Sequence, residues 1–175
     1  SAKEQNTSAL CQAKAWFTST EPSSQWQVTS GQSAWAPSLN PFSKPVLEIM
    51  KNQKSGSLVN IASIYGIVAN DFSVYEGTDL TSPVAYSAVK GGLINLNRYF
   101  ASYFGKYNVR SNCVSPGGIY NDQDIKFVEQ YKNKVPMKRM GNPEDISPII
   151  SFLLSDNANY ITGQNIAVDG GWTAV

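Results

Sequence analysis

Tyr86 and Lys90 stand four residues apart in the run Tyr86-Ser-Ala-Val-Lys90. On a helix, that separation puts both side chains on one face, one turn apart. A phenol with a pKa near ~10 is a poor acid or base at neutral pH, but a neighbouring ammonium favours the phenolate and lowers that value. Such a pair can give a proton to a carbonyl oxygen or take one from an alcohol. The same spacing also occurs on solvated helix faces, so by itself it decides little. Ser63 follows a short apolar run, where its hydroxyl could bond the same substrate oxygen or simply cap a turn. The run Asn112-Cys113-Val114-Ser115-Pro116-Gly117-Gly118 ends in a turn without bulk. Its two glycines either let backbone approach a planar ligand closely or make an ordinary turn.

Composition removes most competing chemistries. The 175 residues contain no histidine, which excludes a Ser-His-Asp triad, a Cys-His pair and most zinc sites. Cys11 and Cys113 are too far apart to form a metal-ligand or redox motif, and Cys113 reads as a buried thiol. Acid-base work therefore falls to Tyr, Lys, Ser or carboxylates. The net charge of +1 gives no electrostatic reason to expect nucleic acid or an anionic membrane. No apolar run approaches the roughly 20 residues that span a bilayer, and no signal segment follows Ser1. A soluble, cytoplasmic protein is expected.

The elements that must position these residues begin late. Residues 1–41 are rich in Ser, Thr and Gln and hold Trp16, Trp26 and Trp35, with Gly31 the single glycine. Apart from a weak helix signal at Ala9 to Phe17, they show no regular pattern. From Phe42 the periodicity predicts a helix to Gln53, then a strand over Ser57–Ala62. A long helix follows over Val84–Tyr107, with Ala85, Val89, Leu93, Leu96, Phe100 and Phe104 along one side. A second strand spans Val109–Val114, a helix Gln123–Lys132, another Pro143 to about Leu154, and a last strand Gln164–Val168. Strands alternating with helices call for parallel strands joined by helical crossovers. In such α/β sheets ligands bind beyond the carboxyl ends of the strands, where Ser63 and the Pro116-Gly117-Gly118 turn both fall.

Taken together, Leu58-Val-Asn-Ile-Ala-Ser63, Tyr86-Ser-Ala-Val-Lys90-Gly-Gly and Val109-Arg-Ser-Asn-Cys-Val-Ser-Pro-Gly-Gly118 resemble the short-chain dehydrogenase/reductase family. Arg139-Met-Gly-Asn-Pro-Glu-Asp-Ile146 and Tyr160-Ile-Thr-Gly-Gln-Asn-Ile-Ala-Val-Asp-Gly-Gly171 continue the match in family order. The segment from Ser63 to Gly77 looks like a narrower bacterial group associated with sugar biosynthesis and flagellin modification. The resemblance implies a Rossmann-like doubly wound parallel sheet and NAD or NADP as cofactor. It implies hydride transfer to or from a small carbonyl or alcohol substrate, and a homodimer or homotetramer. It also implies roles. Tyr86 is the general acid/base, Lys90 lowers its pKa and binds the nicotinamide ribose, and Ser63 holds the substrate oxygen. Pro116, Gly117, Gly118 and Ile119 line the nicotinamide, and Tyr120 to Met140 form a flap over the substrate.

Three features depart from that pattern. The Thr-Gly-x-x-x-Gly-x-Gly turn that receives the cofactor pyrophosphate is not present, since Gly31 is the only glycine before Gly56. The family's additional catalytic Asn falls near Trp35, with Asn40 the nearest asparagine. The connection from Ser63 to Tyr86 is longer than the family commonly uses; it either reshapes the substrate mouth or is a solvated loop. The expectation is therefore an atypical segment at 1–41, followed at 42–175 by the C-terminal part of a dehydrogenase domain lacking its N-terminal strands and glycine-rich loop. A non-catalytic truncated fragment that keeps only the substrate half and its oligomer-forming helices is the alternative.

Overall fold

The computed structural model describes residues 43–175. The readings placed on Cys11, Trp16, Trp26, Gly31, Trp35 and Asn40 lie outside those residues. Helix α1 (Ser43–Gln53) carries Pro45 in its first turn and buries Leu47 completely. It is terminated by Lys54, which takes a left-handed φ of 53°, and Gly56 then opens β1 (Gly56–Ile61).

Among the described residues, three strands form one sheet, β1, β2 (Val109–Pro116) and β3 (Asn165–Val168), in that spatial order and all parallel. The register pairs Asn60 with Cys113 and Val114 with Ile166. Parallel neighbours need a crossover, and α2 (Val84–Phe104) supplies the one between β1 and β2. A crossover helix runs back against the strands, so its first turn, with Tyr86, arrives at their carboxyl ends.

The sheet is covered on both faces. Leu58, Val109 and Cys113 face α1 and α2, packing with Leu47, Ile94, Phe100 and Phe104. Val59, Ile61, Val114 and Ile166 face α4 (Pro143–Leu154), packing with Ile146 and Leu153. This strict alternation along each strand is what a doubly wound sheet requires. Between β2 and α4 lies α3 (Ile125–Lys134), whose start is fixed by the Asp124 carboxylate accepting from the N–H groups of Lys126 and Phe127.

Two expectations need correction. The apolar side expected for α2 ran from Ala85 through Val89, yet both are exposed, and the buried set is Ile94, Asn97, Phe100, Ala101 and Phe104. Burial along α2 is therefore confined to its middle and last turns, from Ile94 onward. The second strand does not stop at Val114; Ser115 and Pro116 continue it by pairing with Ala167 and Val168. Proline is tolerated there because pairing with β1 has already ended at Val114, so its missing N–H breaks no ladder bond. Among the described residues, no helix is long and apolar enough to cross a membrane.

Candidate active site

The strand ends bring three of the sequence-selected side chains to one region. Ser63 follows β1 and is buried; its Oγ accepts from the Tyr65 N–H at 3.2 Å and caps a 3-10 turn over Ile64–Gly66. That turn rests directly on α2. A Cβ at Gly66 would lie 2.7 Å from the Lys90 carbonyl carbon, so only glycine lets the two backbones touch. Ser63 thus keeps its O–H proton for another acceptor while its oxygen organises the turn.

Lys90 is half-buried, and its Nζ donates to the carbonyl of Ile61, the last residue of β1, at 3.0 Å. The same ammonium stands 5.5 Å from the ring centroid of Tyr86. Burial pushes the Lys90 ammonium below its usual range, and the nearby Cys113 thiol opposes this weakly. One of its three protons is used on Ile61, leaving two for a bound hydroxyl pair. Tyr86 is 41% exposed.

The Pro116-Gly117-Gly118 turn sits at the end of β2. Its glycines are explained first by Tyr131, a residue the sequence reading passed over. The Gly118 N–H donates to the Tyr131 hydroxyl at 2.5 Å, and the Tyr131 ring stacks on Trp172 at 4.6 Å between centroids. Burial raises the Tyr131 phenol, an effect the Gly118 N–H partly offsets. Ile119 then bridges to Gly141, with Tyr120 N–H donating to Gly141 O and Gly141 N–H to Gly118 O. These bonds join the two ends of the 120–140 excursion and make α3 a folded cover held by Phe127, Val128 and Tyr131. A cavity of about 170 Å³ lies beside the turn, between Tyr131, Arg139 and Asp169. It is smaller than the roughly 300–1,000 Å³ of most small-molecule sites.

The long connection from Ser63 to Tyr86 is not simply solvated. Asp71 caps a 3-10 turn over Phe72–Tyr75, and Val74 at its centre is completely buried against α3. Asp71 also pairs with Lys134 at 2.9 Å, while Gln130 donates to the Glu76 carbonyl at 3.1 Å. The only sequence signal for this docking is Asp71 two residues ahead of Ser73, an Asx-type start.

A family model described as enoyl-(acyl carrier protein) reductase matches residues 6–173. The chain belongs to the short-chain dehydrogenase/reductase family. The family-model match begins well before residue 42, where the motif resemblance starts. A crystal structure of a short-chain dehydrogenase from Leptospira borgpetersenii with bound NAD+ superposes with a TM-score of 0.70 at 39% identity, covering 75% of this chain and 50% of that one. The flagellin modification protein A of Campylobacter coli is 36% identical over 130 residues, 74% of this chain and 51% of that protein. The 7alpha-hydroxysteroid dehydrogenase of Bacteroides fragilis is 40% identical over 137 residues, 75% of this chain and 49% of that protein. The chain spans about half the length of the curated relatives it matches.

Proposed function

We propose that this chain carries the proton-transfer machinery of an NAD(P)-dependent oxidoreductase that interconverts a carbonyl and an alcohol. The observation that supports it most is a partly exposed Tyr86 with the half-buried Lys90 ammonium 5.5 Å from its ring, bonded to the carboxyl end of β1. In the reducing direction Tyr86 Oη gives its proton to the carbonyl oxygen, and the Lys90 charge stabilises the phenolate left behind. Ser63 Oγ–H donates to the same oxygen as negative charge grows on it. In the oxidising direction Tyr86 takes the alcohol proton.

Lys90 keeps two donors for a ribose diol, and the resemblance assigns Pro116, Gly117, Gly118 and Ile119, at the end of the neighbouring strand β2, to the nicotinamide. When bound, the nicotinamide supplies or accepts the hydride. A sugar-derived carbonyl is the substrate class we favour, as the resemblance of the Ser63–Gly77 segment implies.

Titration with NADH and NADPH, followed by nicotinamide fluorescence, tests cofactor binding; no signal at millimolar cofactor overturns the reading. A panel of keto-sugars and cyclic ketones then tests turnover. Tyr86→Phe should abolish hydride transfer and leave cofactor affinity unchanged, whereas full turnover in that variant refutes the role given to Tyr86.

A further inference from the structure

Tyr86 occupies the first turn of a helix that begins without a cap. Pro83, at the N-cap position, has no side-chain acceptor, and Val84 is 92% exposed. The first N–H groups of a helix have no partners within it, so such a start frays unless something outside holds it. The Tyr86 N–H reaches only the Pro83 carbonyl, at 3.0 Å.

What holds it is one amide in the connection. Ser87 Oγ donates to Asn70 Oδ1 at 2.6 Å, and Asn70 Nδ2 donates to Ser82 Oγ at 2.6 Å. Asn70 therefore ties the residue after Tyr86 to the residue before Pro83. It is fixed in turn by its neighbour Asp71, which caps the next turn and pairs with Lys134 on α3. With Val74 buried against Phe127 and Val128, the connection is a brace between the start of α2 and the α3 cover.

We propose that Asn70 is a positioning residue for Tyr86, an inference that rests on the proton-transfer role given to Tyr86 above. Asn70 touches neither the Tyr86 hydroxyl nor a reacting atom; it restrains the turn that carries them. Ser82 and Ser87 are both partly exposed, so water replaces Asn70 when it is removed and the fold survives.

Amide hydrogen exchange on the full 175-residue chain tests this without any assay of turnover. Asn70→Ala and Ser87→Ala should each speed exchange at residues 86–90 by about 5- to 30-fold while leaving 109–116 unchanged. Asn70→Asp, whose carboxylate accepts from both serine hydroxyls, should restore protection. Where the chain turns over a carbonyl, Asn70→Ala should lower kcat about tenfold with cofactor affinity unchanged, as expected when only the reacting geometry is loosened. Unchanged exchange at 86–90, an equal rise at 109–116, or no recovery in Asn70→Asp overturns the proposal. Absence of turnover in the unsubstituted chain would instead sink the oxidoreductase reading and leave the exchange result standing as the test of the brace.

Discussion

Adding one methyl group at Gly118 or at Gly92 should change stability in opposite directions. A Cβ on Gly118 would lie 2.8 Å from both Cε2 and Cζ of Tyr131 and 3.1 Å from Cε of Met140. Carbon atoms rest comfortably at about 3.5–4.0 Å, so the ring must retreat by about 0.7 Å or more. Tyr131 cannot retreat freely, because it is buried, stacked on Trp172 and bonded through its hydroxyl to the Gly118 N–H. Overpacking of this kind costs about 1–3 kcal/mol. Gly92 stands on the exposed side of α2 with nothing within 4 Å of its added Cβ. There alanine removes a helix penalty and should stabilise by about 0.5–1 kcal/mol. Urea denaturation reads both changes as shifts of the midpoint at constant m. A cycle of Gly118→Ala with Tyr131→Leu should show coupling of at least about 1 kcal/mol, since the leucine clears the clash. If Gly118→Ala is as stable as the parent, or the cycle is additive within about 0.5 kcal/mol, the Tyr131 explanation fails and the bare turn exists for a ligand alone.

Two titrations follow from the structure. Arg139 forks onto the Asp145 carboxylate at 2.6 and 2.8 Å, and with the Asn142 N–H it holds that carboxyl at about 2. A depressed carboxyl stabilises the fold above its unfolded value near 3.8 and loses that contribution as pH falls through about 2. Carboxyl NMR should find the low midpoint, and Arg139→Gln should return it towards 3.8; a midpoint near 3.8 in the unsubstituted chain contradicts the pairing. Burial pushes the Cys113 thiol up to about 12, so the stability gained by keeping it neutral holds below 9 and is lost as pH rises through about 12. In a Cys11→Ser background at pH ~8, a disulfide reagent should label Cys113 only as fast as the fold opens. Immediate labelling would show that the thiol is accessible.

Legibility from sequence followed the range of each interaction. Helix α4 was read at both ends because its signals are local: Pro143 at the start, carboxylates in the first turn, and an apolar run that stops at Leu154. The end of β2 was misread because pairing of Ser115 and Pro116 depends on β3, fifty residues later. For α2, periodicity identified a helix but could not say which of its turns are buried. Asn97 shows the same limit. It is fully buried within α2, accepting from Ser111 Oγ at 2.7 Å and donating to the Gln164 carbonyl at 3.3 Å. Only the folded sheet supplies those partners. Tyr86, Lys90 and Ser63 stood out because their side chains carry chemistry. Asn70, Tyr131 and the Ile61 carbonyl did not, because what they do is set by distant neighbours.

The Ile61 carbonyl sharpens what the site requires. Its strand is fixed at that point by the Ala62 N–H donating to the Val114 carbonyl at 2.7 Å, and Ser63 follows two residues after Ile61. By bonding Ile61, Lys90 ties the ammonium beside Tyr86 to the same stretch of backbone that carries Ser63. The contact of Gly66 with the backbone of Lys90 and Gly91 locks that stretch to α2 a second time. These contacts lie within residues 56–116, and the Asn70–Asp71 brace to α3 adds a separate restraint on the turn that carries Tyr86. Proton transfer and cofactor binding should therefore separate kinetically only at residues that serve one of them. Changes at Gly66, which touches only the backbone of Lys90 and Gly91, should appear in kcat, whereas changes at Lys90, which also offers donors to the ribose diol, should appear in cofactor Kd as well.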